Sequence, residues 1–287
     1  MQIRRLVKSG TASHTISLPK EWIKKNRLKK GDFLYIKEQD NSMIISAQEK
    51  HEQPKYKEIT IMIDNKDIGT VRRETISAYI NNYHIFTFIG SVNKKIEELR
   101  KILDNFLALE IVEQTDKRLL AKDFLNLQEF SLDNTIRRMD MLTRSMMEDA
   151  KKGKQQKAAV LRDFEVDKLF FLISRLIRAN LTDGTSKVNN IEALSIWWLA
   201  KNIESIADSA KYLSEGFPKD NIKLFEELEV YYKDAIKAYV KKDKVLADKL
   251  IAQRVGLLEK AEKQKNRELL KQIVNSSRNI AKIVLDS

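Results

Sequence analysis

The first 47 residues alternate short apolar and polar runs with turn residues, a pattern typical of small β-structures. Pro19 stands where a helix could begin, because its missing N–H needs no partner in a first helical turn. Gly31 followed by Asp32 favours a turn. The pattern predicts four strands and one short helix, in the order strand 2–8, strand 14–18, helix 20–26, strand 33–36 and strand 43–45.

A polar stretch at residues 48–54 predicts a linker, and a different pattern follows over residues 55–128. In that region, segments in which apolar and polar residues alternate as in strands are separated by segments in which apolar residues recur with helical spacing. The pattern predicts a small βαβαββ domain, with strand 58–63, helix 71–79, strand 83–89, helix 96–106 and a closing hairpin of strands 109–113 and 119–121.

From Ser131 onward, apolar residues recur with the helical period and helix-breaking residues are few. Short connections between the predicted helices favour antiparallel bundles. The predicted body, 129–287, divides near Pro218 into two three-helix bundles, 129–217 and 219–287. The predicted fold class is therefore α+β multidomain: a β-module (1–48), a βαβαββ domain (55–128) and an all-α body.

Positive charge is concentrated in the head, defined as residues 1–50. The whole chain of 287 residues carries a net charge of +12, and the head alone holds eleven Lys or Arg against five Asp or Glu. Such a concentration favours a polyanionic partner, although lysines that only keep a protein soluble would give the same count. The candidate DNA-contacting residues are Arg4, Arg5, Lys8, His14, Lys20 and Lys24.

The chain contains no cysteine, which excludes disulfides, thiolate metal sites and a cysteine nucleophile. It has no apolar run of eighteen residues, so we expect a cytoplasmic protein without membrane insertion. No set of residues matches a known catalytic motif, and we expect a protein that is not an enzyme.

Two pairs of carboxylates in the body are the candidate metal ligands. Asp163 and Asp167 share a helix face, as do Glu204 and Asp208. Like charges spaced i,i+4 repel, so a cation is expected beside them. Lysines three residues away, Lys201 and Lys211, leave ion pairs as the alternative.

The head resembles the SpoVT/AbrB swapped-hairpin family of DNA-binding proteins. The resemblance rests on Arg4-Arg5, Gly10, the run Leu18-Pro19-Lys20-Glu21-Trp22 and the run Leu28-Lys29-Lys30-Gly31-Asp32. It implies that two chains interleave their hairpins in a homodimer and present basic strands to DNA. A module of this size is too small for a stable core of its own, which also favours dimerisation.

The body resembles the PhoU family of phosphate-uptake regulators. The similar segments are residues 199–211 and 162–169, with a Glu-x-x-x-Asp element at Glu204 and Asp208. The resemblance implies that carboxylates of paired helices hold iron or zinc, with Asp163, Asp167, Glu204 and Asp208 as ligands. The second bundle has Lys271 and Asn275 at its corresponding positions, so only the first bundle has a full set.

Together, the two resemblances predict a DNA-binding transcription regulator of phosphate uptake or homeostasis. Its head would bind operator DNA, and its body would sense or relay phosphate or metal status. The alternative is a PhoU-like adaptor that contacts a phosphate transporter ATPase or a sensor kinase, with a head that only dimerises.

Overall fold

A computed structural model describes residues 3–11, 13–39, 42–47, 56–152, 156–183, 189–216 and 222–286. The chain forms two compact units, Met1–Lys55 and Tyr56–Ser287, and each is described by itself. The predicted linker 48–54 and the predicted division at Pro218 lie outside the described residues. The α+β multidomain class is confirmed.

The first unit contains two hairpins and a short helix. Strand β1 (Val7–Ser9) pairs antiparallel with β2 (Ser13–Thr15), helix α1 covers Lys20–Lys25, and β3 (Tyr35–Gln39) pairs antiparallel with β4 (Ser42–Ser46). The first strand is shorter than the predicted 2–8, because β2 offers a ladder partner to only three residues of it.

Within its described residues, the head contains no buried side chain. Large apolar residues are instead open to solvent, among them Ile3, Leu6, Phe33 and Ile36. A single copy of the head therefore lacks a hydrophobic core.

A four-stranded sheet forms the first half of the second unit, with strand order β5-β6-β8-β7. The elements follow the predicted βαβαββ order: β5 (Glu58–Met62), α2 (Ile68–Ile80), β6 (Ile85–Ile89), α3 (Val92–Leu103), β7 (Leu109–Gln114) and β8 (Arg118–Asp123). Strands β5 and β6 are parallel, and β8 pairs antiparallel with both β6 and β7. Asp67 begins α2 because its carboxylate accepts the N–H of Thr70 at 2.9 Å.

The body consists of helices in the described part of the chain. Their bounds are α4 (Leu132–Lys152), α5 (Gln156–Asp183), α6 (Asn190–Ser214), α7 (Ile222–Lys241), α8 (Lys244–Glu262) and α9 (Arg267–Leu285). Side-chain caps at Asn189 and Asp243 start α6 and α8. Helices α4, α5 and α6 form one three-helix bundle, α7, α8 and α9 form the other, and contacts between α6 and α9 join them around one core.

Helix α5 also connects the body to the sheet. Phe171 is buried within the hydrophobic core of the βαβαββ domain. Arg175 is fully buried, and its guanidinium donates to Asp123 Oδ2 at 2.5 Å and to Asn82 Oδ1 at 3.0 Å. The sheet and the helical body therefore pack as one unit.

None of the helices in the described residues is both long and apolar enough to cross a lipid bilayer.

Candidate functional site

The six predicted DNA-contacting side chains are all exposed on the head. They lie in three segments: Arg4 and Arg5 before β1, Lys8 and His14 on the first hairpin, and Lys20 and Lys24 on α1.

The first hairpin brings Lys8 and His14 directly opposite each other, although five residues separate them in the chain. Gly10 makes the turn with a φ of 80°, in the left-handed region that favours glycine. Opposed residues on an antiparallel pair point to the same face. This face therefore presents an ammonium and an imidazole side by side.

Helix α1 presents Lys20 and Lys24 one turn apart, which places both ammonium groups on one face. Trp22, Ile23 and Leu28 are half-buried. The described head thus holds two local pairs of side chains that can donate hydrogen bonds to a phosphate backbone.

The structure brings the four predicted metal ligands together between α5 and α6. The ammonium of Lys211 donates to Asp163 Oδ2 at 2.6 Å and to Asp208 Oδ1 at 2.8 Å. Lys201 donates to Glu204 Oε2 at 2.6 Å. Both lysines thus pair with carboxylates, as the ion-pair alternative anticipates.

Asp167 has the weakest ion pair of the four carboxylates. Its partner is Arg72 of α2, with a guanidinium nitrogen 4.0 Å from Oδ2. Burial raises the pKa of Asp167 to about 7, and the negative charges of Asp163, Glu204 and Asp208 add to that rise. The site therefore carries an excess of negative charge that a proton can neutralise near neutral pH.

Lys211 behaves as the central cation of the group. Burial lowers the pKa of Lys211, but its hydrogen bonds to Asp163 and Asp208 outweigh burial, and the net shift is upward. Burial raises the pKa of Asp163, and Lys211 offsets this only in part.

As the side chains lie, the arrangement does not fit a bound metal. In the described part of the chain no group of three or more His, Cys, Asp or Glu side chains is arranged to hold a metal ion. Lys211 stands between two of the predicted ligands, where a metal would need their oxygens. Binding of iron or zinc therefore stays a prediction.

The sequence did not predict two of the ion pairs that the structure contains. It paired Lys211 with Asp208 but not with Asp163, which lies 48 residues earlier. It also missed the buried pair of Arg175 and Asp123. An arginine within the apolar run 169–177 was the available signal, since a charge in such a run needs a buried partner.

Comparison with known proteins bears on the head alone. Residues 7–54 match the family model described as antidote-toxin recognition MazE, bacterial antitoxin, which has the AbrB/SpoVT-like swapped-hairpin fold. The match covers about a sixth of the chain. No curated protein and no solved structure is significantly similar to the chain. The predicted kind of head is therefore confirmed, whereas the PhoU-like nature of the body stays a prediction.

Proposed function

We propose that this protein is a DNA-binding transcription regulator of phosphate uptake or homeostasis. In this proposal the head binds operator DNA as a homodimer, and the PhoU-like body senses or relays phosphate or metal status. The observation that carries the proposal is the match of residues 7–54 to a swapped-hairpin family, on a segment that exposes Lys8, His14, Lys20 and Lys24 and directly follows the exposed Arg4 and Arg5. The proposal assigns the chain to binding proteins rather than to enzymes.

Dimerisation of the head is part of the proposal. The described head buries no side chain and exposes Phe33 to 85% of its full surface and Ile3 to 82%. A second copy that covers these residues would supply the missing core. It would also double the number of basic side chains that face one duplex.

Phosphate contact is the mode of DNA binding that the head supports best. The hairpin pair, Lys8 with His14, and the helix pair, Lys20 with Lys24, are short-range clusters suited to the sugar–phosphate backbone. We assign phosphate contact to Arg5 as well, and Arg4 contacts either a phosphate or a guanine.

The experiment is a salt titration of duplex binding by the full chain, its Arg5→Ala variant and a control variant, Lys237→Ala, on the exposed side of α7. The slope of log K against log salt is about −0.9 per phosphate contact. We expect Arg5→Ala to weaken binding on all sequences and to reduce the slope by about one per contact removed. We expect Lys237→Ala to leave both unchanged.

The result also separates the proposal from its alternative. If the full chain binds no duplex at low salt, the regulator is excluded, and the adaptor that contacts a phosphate transporter ATPase or a sensor kinase remains. Equal loss of binding from Arg5→Ala and Lys237→Ala would place the DNA contacts outside the head.

The family description favours a second candidate function, recognition of a toxin protein by the head. A chain of this class would neutralise a toxin when the two are produced together. Growth rescue in co-expression, retained in Arg5→Ala but lost without residues 1–55, would support it.

A further inference from the structure

A cleft between α6 and α9 shares no lining residue with the carboxylate cluster. It has a volume of about 310 Å³ and is lined by Trp198, Arg278, Asn279, Lys282, Ile283 and Asp286. Asn279 Nδ2 donates to Asn202 Oδ1 at 3.1 Å, and Asn202 Nδ2 donates to the carbonyl of Trp198 at 2.7 Å. These two bonds hold the aromatic side of the cleft against its polar side.

The polar side carries a net positive charge, because Arg278 and Lys282 line it together with a single carboxylate, Asp286. The Nε of Arg278 is buried without a hydrogen-bond partner, and its Nη1 donates to Asn279 Oδ1 at a long 3.3 Å. A guanidinium has five N–H donors, so this group has unused capacity for an anion.

The aromatic side of the cleft presents the solvent-accessible ring of Trp198. Trp198 is 42% exposed, whereas most large apolar residues of α6 are buried. Its ring stacks beside Trp197, with centroids 6.2 Å apart and planes at 28°, and Trp197 lies 6.4 Å from Phe170. The indole is thus held in place from within and remains accessible to a planar ligand.

We propose that this cleft binds a nucleoside monophosphate. The phosphate would lie on Arg278 and Lys282, the base would stack on Trp198, and the carboxylate of Asp286 would accept from the ribose hydroxyls. Its volume lies at the small end of the usual range for ligand pockets, about 300 to 1,000 Å³, which suits a mononucleotide. Inorganic phosphate would leave the indole without a stacked base, and a free nucleoside would leave Arg278 and Lys282 without a phosphate. This proposal is independent of DNA binding by the head.

The test is calorimetric titration of the full chain with AMP, GMP, CMP and UMP, and with the four corresponding nucleosides and inorganic phosphate as partial ligands. We expect at least one mononucleotide to bind with one site per chain, and its nucleoside and inorganic phosphate to bind at least tenfold more weakly. Lys282→Gln and Trp198→Leu should each weaken the mononucleotide by about tenfold, equivalent to about 1.4 kcal/mol. Lys249→Gln, an exposed lysine on α8, should have no effect.

A second pair of variants guards against loss of folding. Trp198→Phe keeps a ring for stacking and should bind within about threefold of the wild type, and Lys282→Arg keeps the charge and should do the same. The proposal is overturned if no mononucleotide binds, if inorganic phosphate binds as tightly, or if Trp198→Leu and Lys282→Gln bind like Lys249→Gln.

Discussion

At the scale of single residues, the buried pair of Arg175 and Asp123 joins the sheet to the helical body. Both side chains are about 1% exposed, and the guanidinium also lies 4.5 Å from the centre of the Tyr79 ring. A charge left alone in such a place has no water to replace its partner. The pair therefore makes the packing of α5 on the sheet depend on two residues 52 positions apart.

Asp123→Asn should destabilise the chain by about 3 to 5 kcal/mol, because it leaves the Arg175 charge buried and unpaired. Urea unfolding at neutral pH measures the loss. The matched control is Glu113→Gln, which breaks the half-exposed pair with Arg118 and should cost less than about 1 kcal/mol. Equal costs for the two variants would show that the buried pair does not hold the sheet and the body together.

The raised pKa of Asp167 predicts how the stability of the chain depends on pH. Its pKa rises on folding from an ordinary value near 4 to about 7, mainly through burial. The folded state then holds a proton that the unfolded state has lost, so this residue makes stability fall as pH rises from about 4 to about 7.

Asp167→Asn removes this titration. Relative to the wild type, the variant should therefore gain at least about 1 kcal/mol in unfolding free energy between pH 5 and pH 8. Denaturant unfolding of both proteins at the two pH values measures the difference. If the difference in unfolding free energy between the wild type and the variant is the same at pH 5 and pH 8, the raised pKa of Asp167 is contradicted.

At the scale of elements, helices α5 and α6 form a pair whose facing carboxylates decide whether a metal binds. Lys211 of α6 bridges Asp163 of α5 and Asp208 of its own helix. A metal ion at the same carboxylates would have to displace that ammonium. The two cations therefore compete for one set of oxygens.

This competition gives the metal prediction a specific form. Elemental analysis should find more iron or zinc in Lys211→Met, which removes the competing ammonium, than in the wild type, and less in Asp208→Asn, which removes a ligand charge. Equal metal in all three proteins, or none in any, would leave the lysine ion pairs as the complete account of the cluster.

At the scale of the whole molecule, assembly follows from the difference between the two units. The second unit has continuous buried cores, whereas the described head has none. Apolar residues on the head therefore gain more from a partner than equally exposed residues on the body.

Phe33→Asp should shift the full chain from dimer towards monomer, because it places a charge where the second copy would bury a ring. Val245→Asp is the matched control, since Val245 on α8 is 83% exposed and Phe33 is 85% exposed. Sedimentation velocity at several concentrations measures the shift. A chain that is monomeric as wild type, or a dimer that Phe33→Asp leaves intact, would contradict assembly through the head.

The sequence by itself determined the elements of this protein and their order. The helical period of residues 131–286 is a local property, and each predicted helix of the body is present. Helix starts are local as well, because a short polar residue accepts a nearby N–H, as Asn189 does for Glu192. The head was also predictable, because its turns depend on local residues such as Gly10, and the family match confirms its kind.

Only the tertiary structure decided which charges meet. The periodicity of α5 placed Asp163 and Asp167 on one face, but which cation they contact depends on the rotation and crossing of neighbouring helices over a few ångströms. The same reason applies to Arg175 with Asp123 and to Trp198 with Arg278, whose positions in the chain are 52 and 80 residues apart. Spacing along a chain constrains the face on which a side chain lies, whereas its partner is set by how those faces pack.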